Sequence, residues 1–107
     1  MIVELEDNLE AIQTGNVLVD FYTTTCGPCK RLAPVLEELS QSQEFSSIKI
    51  AKMEVTKNPM ASQMFGVMSV PTLMFLKNLQ VKEVSYGFSN KGAIESMMRR
   101  HISNGHG

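Results

Sequence analysis

The chain contains only two cysteines, Cys26 and Cys29, and they are separated by Gly27 and Pro28. Bridging them closes a loop too small to remove much unfolded-chain entropy, so the pair is a poor structural staple. Thiol–disulfide exchange explains the spacing better. The thiolate is the nucleophile in that chemistry, and a helix start favours it through unpaired N–H groups and the positive end of the helix dipole. Cys26 falls where a helix is expected to begin. Cys29 follows one turn later, where it can donate to a Cys26 thiolate and then attack a mixed disulfide. Pro28 costs the helix little, because first-turn N–H groups have no intrahelical partner. Gly27 and Pro28 bring no charge and no side-chain donor that would stabilise the reduced form further, which points to the reducing end of the range. Zinc is the competing reading. It wants four ligands, yet the histidines are only His101 and His106, near the C-terminus, and there is no second Cys-x-x-Cys.

Asp20 is the other residue whose setting suggests chemistry. It lies inside the apolar run Val17-Leu18-Val19-Asp20-Phe21-Tyr22. Buried there, its carboxyl would have a raised pKa and serve as a proton acceptor near neutral pH. On an edge-facing strand it would instead be solvated, and the run alone does not decide between the two.

These residues need elements to hold them. Residues 16–22 read as a buried strand on their β-branched and aromatic content. Residues 2–5 form a first strand, followed by a short helix capped by Asp7 and stopped by Gly15. After the cysteines, Leu32, Val35, Leu36 and Leu39 fall at helical spacing, with Pro34 expected to kink that helix. Residues 48–55 make a third strand, with Ile48, Ile50 and Lys52 on one face and Lys49, Ala51 and Met53 on the other. Pro59 opens a short helix through Met64, ended by Gly66. Residues 72–76 and 81–86 are strands joined by the turn Lys77-Asn78-Leu79-Gln80. A last helix from Asn90 to Ile102 presents Ile94, Met97 and Met98 on one stripe. The alternating start implies a parallel section and the late hairpin an antiparallel one, in an α/β domain over residues 1–102 with a frayed tail at 103–107.

Composition narrows the function classes. The 107 residues suit one domain, and 43% hydrophobic with 20% charged residues is a globular balance. A formal net charge of −1 offers no footprint for nucleic acid; Arg99 and Arg100 read as a solvated helix face. No apolar run is long enough to span a bilayer, and the acidic start Met1 to Asp7 is unlike a secretory signal, so a cytoplasmic, monomeric protein without membrane contact is expected. No Gly-rich nucleotide loop is present. No metal or bound cofactor is expected beyond the redox-active Cys26–Cys29 disulfide, and electrons must come from a partner protein.

Over nearly its whole length the sequence resembles the thioredoxin family. The residues that carry the likeness are Val19-Asp20-Phe21, Cys26-Gly27-Pro28-Cys29-Lys30, Ala33-Pro34, Ala51-Lys52, Asn58-Pro59, Val70-Pro71-Thr72 and Gly87. The resemblance implies a central mixed sheet flanked by helices on both faces. It also implies a protein-disulfide reductase and dithiol electron carrier of cell redox homeostasis, recharged by a separate reductase. Cys26 would attack a client disulfide and Cys29 resolve it, with Asp20 assisting proton transfer and Lys52 near Asp20. Pro71 would be cis and stand against the cysteines, where composition alone allows a trans proline opening an edge strand. Thr25, Gly27, Pro28, Val70, Pro71 and Gly87 would surround the client sulfur, and backbone groups near Val70 would pair with an extended client segment.

The departures from the family bear on the docking surface and so on which reductase and clients the chain uses. Thr25 and Tyr22 stand where tryptophan is common, Ser69 where glycine is frequent, and Thr56 where aspartate is. Met68 and Phe88 are therefore candidates to replace the missing apolar rim. Met60 and Met64 are expected to fill core gaps. Two other functions compete with the reductase. One is a disulfide oxidase or isomerase of an oxidising compartment, and the other is a binding or assembly subunit whose redox activity is incidental.

Overall fold

The computed structural model describes residues 2–6 and 9–102. Asp7, expected to cap the first helix, and the tail 103–107 lie outside the described residues. Ten elements follow one another: β1 (Ile2–Leu5), a 3₁₀ helix (Leu9–Ile12), β2 (Asn16–Tyr22), α1 (Gly27–Ser40), a 3₁₀ helix (Gln43–Phe45), β3 (Ile48–Glu54), α2 (Pro59–Met64), β4 (Thr72–Lys77), β5 (Gln80–Tyr86) and α3 (Lys91–Ile102). The sequence reading anticipates all of these except the second 3₁₀ helix, which turns Phe45 into the core at 2% exposure.

The strands form one sheet in the order β1-β3-β2-β4-β5. β3 pairs in parallel with both β1 and β2, whereas β4 is antiparallel to β2 and β5. β2 is thus an interior strand with helices on both faces, which is why it reads as an almost unbroken apolar run. Alternation sorts its side chains. Leu18 joins Ile50, Leu73 and Phe75 under α1 and α3, packed with Leu32, Leu36, Leu39, Ile94 and Met98. Val17, Val19 and Phe21 face the other way, toward Ala51, Met53, Met74 and Ala61 of α2. Asp20 and Tyr22 therefore belong to the α1 face, as do Lys52 of β3 and Glu4 of β1.

Local chemistry fixes the ends. α1 runs from Gly27 to Ser40 without a break at Pro34. The Asn90 side chain caps α3 by accepting from the Ala93 N–H at 2.9 Å. Buried Asn58 ties β1 to β3, donating from Nδ2 to the Leu5 and Glu54 carbonyls at 3.3 and 2.8 Å. The β4–β5 turn places Asn78 and Leu79 at φ 49° and 69°, the left-handed pair that matches the twist of a hairpin.

The expectation for Met60 and Met64 is corrected. They are 81% and 59% exposed and fill no core gap. Residues four apart on a helix share a face, and on α2 that face is the outer one; Ala61 and Ser62 supply the buried side.

Candidate functional site

The β2-to-α1 connection carries the two cysteines. Cys26 is the N-cap of α1 at φ −91° and ψ 117°, and its Sγ accepts a hydrogen bond from the Cys29 N–H at 3.1 Å. The two sulfurs are bridged, with Cα atoms 5.2 Å apart. Cys26 is half-buried and Cys29 only 4% exposed. The helix start therefore presents the first sulfur, supplies it with an N–H donor, and shields the second. Both the donor and the dipole favour negative charge on Cys26 when the bridge is open.

Of the other expected residues, Thr25, Gly27 and Pro28 lie on this turn, and Val70, Pro71 and Gly87 lie at the start of β4 and the end of β5. Thr25 and Gly27 are exposed and Pro28 is half-buried. The Val70–Pro71 bond is cis. The Gly87 N–H donates to the Pro71 carbonyl at 2.9 Å, with Gly87 at φ +78°, which closes the end of β5 onto the proline segment. Met68 is 95% exposed. Together with Thr23, Val55, Val67, Ser69 and Val70 it lines a cavity of about 210 Å³. Phe88 is half-exposed and is not part of that wall; the Arg31 guanidinium of α1 sits 5.6 Å from its ring centre. Met68 and Phe88 thus belong to two separate patches.

A second cavity, of about 180 Å³, opens on the other cysteine. Cys29, Ala33 and Lys30 of α1 line it together with Tyr22, Thr24 and Lys52. Lys52 is the register partner of Asp20 on the neighbouring strand. Asp20 is 1% exposed, and neither carboxyl oxygen has a hydrogen-bond partner among the described residues. The solvated edge reading is thereby excluded. Burial pushes the carboxyl from its ordinary 3.8 up to about 7; Lys52 draws it down and Glu4 pushes it up.

Three polar residues of this region, Glu4, Tyr22 and Glu54, carry no catalytic or binding assignment from the sequence. Tyr22 donates its hydroxyl to Glu4 Oε2 at 2.8 Å, and the Lys52 ammonium sits 4.2 Å from the Tyr22 ring centre. Glu54, buried at the end of β3, accepts from the Thr56 hydroxyl and, at 3.0 Å, from the Thr56 N–H; those bonds lower its pKa. The charged positions of the strand pattern hint at Glu4, but only the strand order brings it to Lys52.

His101 contacts Glu83 at 2.7 Å and stacks on Phe75 at 5.0 Å, and His106 lies outside the described residues. Among the described residues no helix is long and apolar enough to cross a membrane.

Comparison with known proteins agrees with this geometry. Residues 3–100 match the sequence family described as Thioredoxin. A thioredoxin of Bacillus subtilis is 43% identical over 103 residues, covering 94% of this chain and 98% of that protein. One of Chlamydia muridarum is 37% identical, covering 94% and 96%. Among solved structures, a variant thioredoxin of Halobacterium salinarum superposes with a TM-score of 0.85 at 27% identity, covering 94% of this chain and 89% of its own. The thioredoxin of Malassezia sympodialis shares the fold with a TM-score of 0.88 at 24% identity, covering 96% and 92%. With a bridged cysteine pair capping α1 and family likeness spanning almost every described residue, this chain belongs to the thioredoxin family and is a thiol–disulfide oxidoreductase that reduces protein disulfides.

Proposed function

We propose that Cys26 is the attacking sulfur and Cys29 the resolving one. The observation that carries this reading is the asymmetry of the pair: Cys26 caps α1 and is half-exposed, while Cys29 is buried behind it. The Cys26 thiolate attacks one sulfur of a client disulfide, forming a mixed disulfide and expelling the other client sulfur as a thiolate. Cys29 then gives up its proton, attacks the Cys26 sulfur, and releases the second client thiol. Two electrons pass to the client, and the chain is left with its Cys26–Cys29 bridge. A separate dithiol-supplying reductase restores the dithiol, so the chain needs no bound cofactor.

Asp20 is the proton acceptor for Cys29 in this reading. A carboxyl held near 7 exchanges protons readily at neutral pH. Lys52 lines the same cavity as Cys29 and supplies positive charge beside that carboxyl. Client segments dock on the other side. The Val70 N–H and C=O make no backbone hydrogen bond among the described residues, so they are available to an extended client strand. Thr25, Gly27, Pro28, Pro71 and Gly87 frame the sulfur, and Met68 and Phe88 extend the rim. The uncharged Gly27-Pro28 pair favours a reductant, which suits the cytoplasm.

The test is a Cys29→Ser variant challenged with a disulfide-bonded client. Accumulation of a Cys26-linked mixed disulfide is expected. The reduction potential of the parent settles the direction: a value at or above about −180 mV would place it with isomerases and oxidases instead.

A further inference from the structure

The sheet brings three charged side chains into one cross-strand row on the α1 face. β1 and β3 pair Glu4 with Lys52, and β3 and β2 pair Lys52 with Asp20. Lys52 thus stands between two carboxylates, one exposed and one buried. Among the described residues it forms no salt bridge with either. Its ammonium instead rests over the Tyr22 ring, 4.2 Å from the centre. Tyr22 is two residues along β2 from Asp20 and so shares its face. Its hydroxyl is tethered in turn to Glu4 Oε2 at 2.8 Å. Glu4 is therefore occupied by the tyrosine, and the cation is left over a ring that has a fixed place.

We propose that Tyr22, tethered through its hydroxyl to Glu4, is a positioning residue that keeps the Lys52 ammonium on the Asp20 side of the sheet and so tunes proton exchange between Asp20 and Cys29. A lysine is a point charge on a flexible stem, and a half-exposed one would otherwise extend into water. An aromatic face attracts it electrostatically without neutralising it. Full charge thus stays available to Asp20, where a direct ion pair with Glu4 would cancel part of it. The cavity lined by Tyr22, Lys52 and Cys29 puts the device where the resolving step occurs. Among the described residues, the charges that act on Asp20 are Lys52 and Glu4. β1 gives Glu4, and β3 gives Lys52 and Glu54, the latter bonded to Thr56. From α1, Cys29 and Lys30 line the same cavity as Lys52, and the β4 neighbour of Asp20 is uncharged Leu73.

This inference rests on the proton-acceptor reading of Asp20, and its test is independent of turnover. Asp20 is titrated by carboxyl ¹³C NMR in the disulfide form, where the cysteines do not titrate alongside it. Tyr22→Leu should free the ammonium and raise the Asp20 midpoint by ~0.5 pH unit or more. The same substitution in a Lys52→Met background should leave the midpoint unmoved, because Tyr22 acts through Lys52. A midpoint that stays or falls in the parental background overturns the proposal, as does an equal rise in both backgrounds. Should Tyr22→Leu not fold, the Lys52 ε-methylene protons decide. They should be displaced upfield by the Tyr22 ring in the parent, and less so in Glu4→Ala, which removes an exposed side chain. Random-coil shifts in the parent, or no change in Glu4→Ala, overturn it. Failure of the Asp20 reading itself looks different: Asp20→Asn would leave the pH profile of client reduction unaltered whatever the titrations show.

Discussion

Two cavities of similar size share Thr23 just before the cysteine turn, and their linings differ. The one reaching Cys29, about 180 Å³, is walled by Tyr22, Lys30 and Lys52, the last being the strand partner of buried Asp20. The one beside the cis Val70–Pro71 bond, about 210 Å³, is walled by Val55, Val67, Met68 and Val70. Lysines line the cavity that holds Cys29, whereas valines and Met68 line the one that holds no cysteine. In the proposed reading, the difference lets one region of the molecule serve two tasks. Proton management needs low dielectric and a fixed cation, whereas client capture needs an open, adaptable apolar face. The α1 start divides the two, because consecutive turns of a helix place Cys26 at its mouth and Cys29 one turn inside.

The sharpest way to break this comparison is to exchange the roles of the sulfurs. Cys26→Ser should abolish client reduction altogether, since no exposed thiolate remains. Cys29→Ser should also stop turnover, yet it should still form one covalent adduct per chain. Intact-mass analysis after mixing with a disulfide client reads the difference. Adducts on Cys26→Ser and none on Cys29→Ser would reverse the assignment.

Asp20→Asn probes the polar side. The carboxyl is raised from 3.8 to about 7 by burial, so the unfolded chain ionises it well before the folded one does. Below pH 3.8 it is protonated in both states and costs nothing. As pH rises from there to about 7, the folded form loses stability relative to the unfolded form, and above about 7 the loss is constant. At 1.36 kcal/mol per pH unit the full effect is about 4 kcal/mol. The amide variant should therefore match the parent in acid and exceed it by a few kcal/mol at pH 8, measured as denaturant midpoints. Client reduction near neutral pH should meanwhile fall roughly tenfold or more, the usual scale of a lost proton acceptor. Parallel stability curves from pH 4 to 8 would mean that the carboxyl is solvated.

Much of this was legible in the sequence because the signals are local. The apolar run of β2, the alternation in β3 and the period-3.6 stripes of α1 and α3 set those elements, and Asn90 and Pro59 mark helix starts that the structure keeps within a residue. The cysteine spacing at a strand-to-helix junction located the site. What stayed hidden depends on register and on which way a helix rolls. The four-residue spacing of Met60 and Met64 shows that they share a face, but not that the face is solvent. Whether Asp20 is buried follows from β2 lying third in the sheet, which no strand pattern states. The Glu4–Tyr22–Lys52 contact needs β3 inserted between β1 and β2, a crossover outcome. Phe45 sits on a 3₁₀ helix of three residues, too short for any periodicity to register.

The smallest effects are expected on the apolar side, because a docking rim shares its work among several contacts. Thr25 gives the client far less apolar area than an aromatic ring would. Met68 offers a flexible thioether at 95% exposure above the cavity, and Phe88 offers a ring 43% exposed and steadied by Arg31. Truncating either to Ala removes contact area worth about 1 kcal/mol, hence roughly a threefold to tenfold drop in kcat/KM toward a protein disulfide. A small aromatic disulfide makes no such contacts and should be reduced at the parental rate. The reduction potential should also be unchanged, since neither side chain touches a group that stabilises the Cys26 thiolate. Met60→Ala is the control: it removes an equally flexible and 81% exposed methionine that lies outside the cavity wall, and it should alter neither rate. Stopped-flow reduction of both substrates by the three variants separates docking from chemistry. Parental rates for Met68→Ala and Phe88→Ala on the protein substrate would show that the backbone around Val70 holds clients without the rim. A loss on both substrates would show instead that the two cavities are not independent.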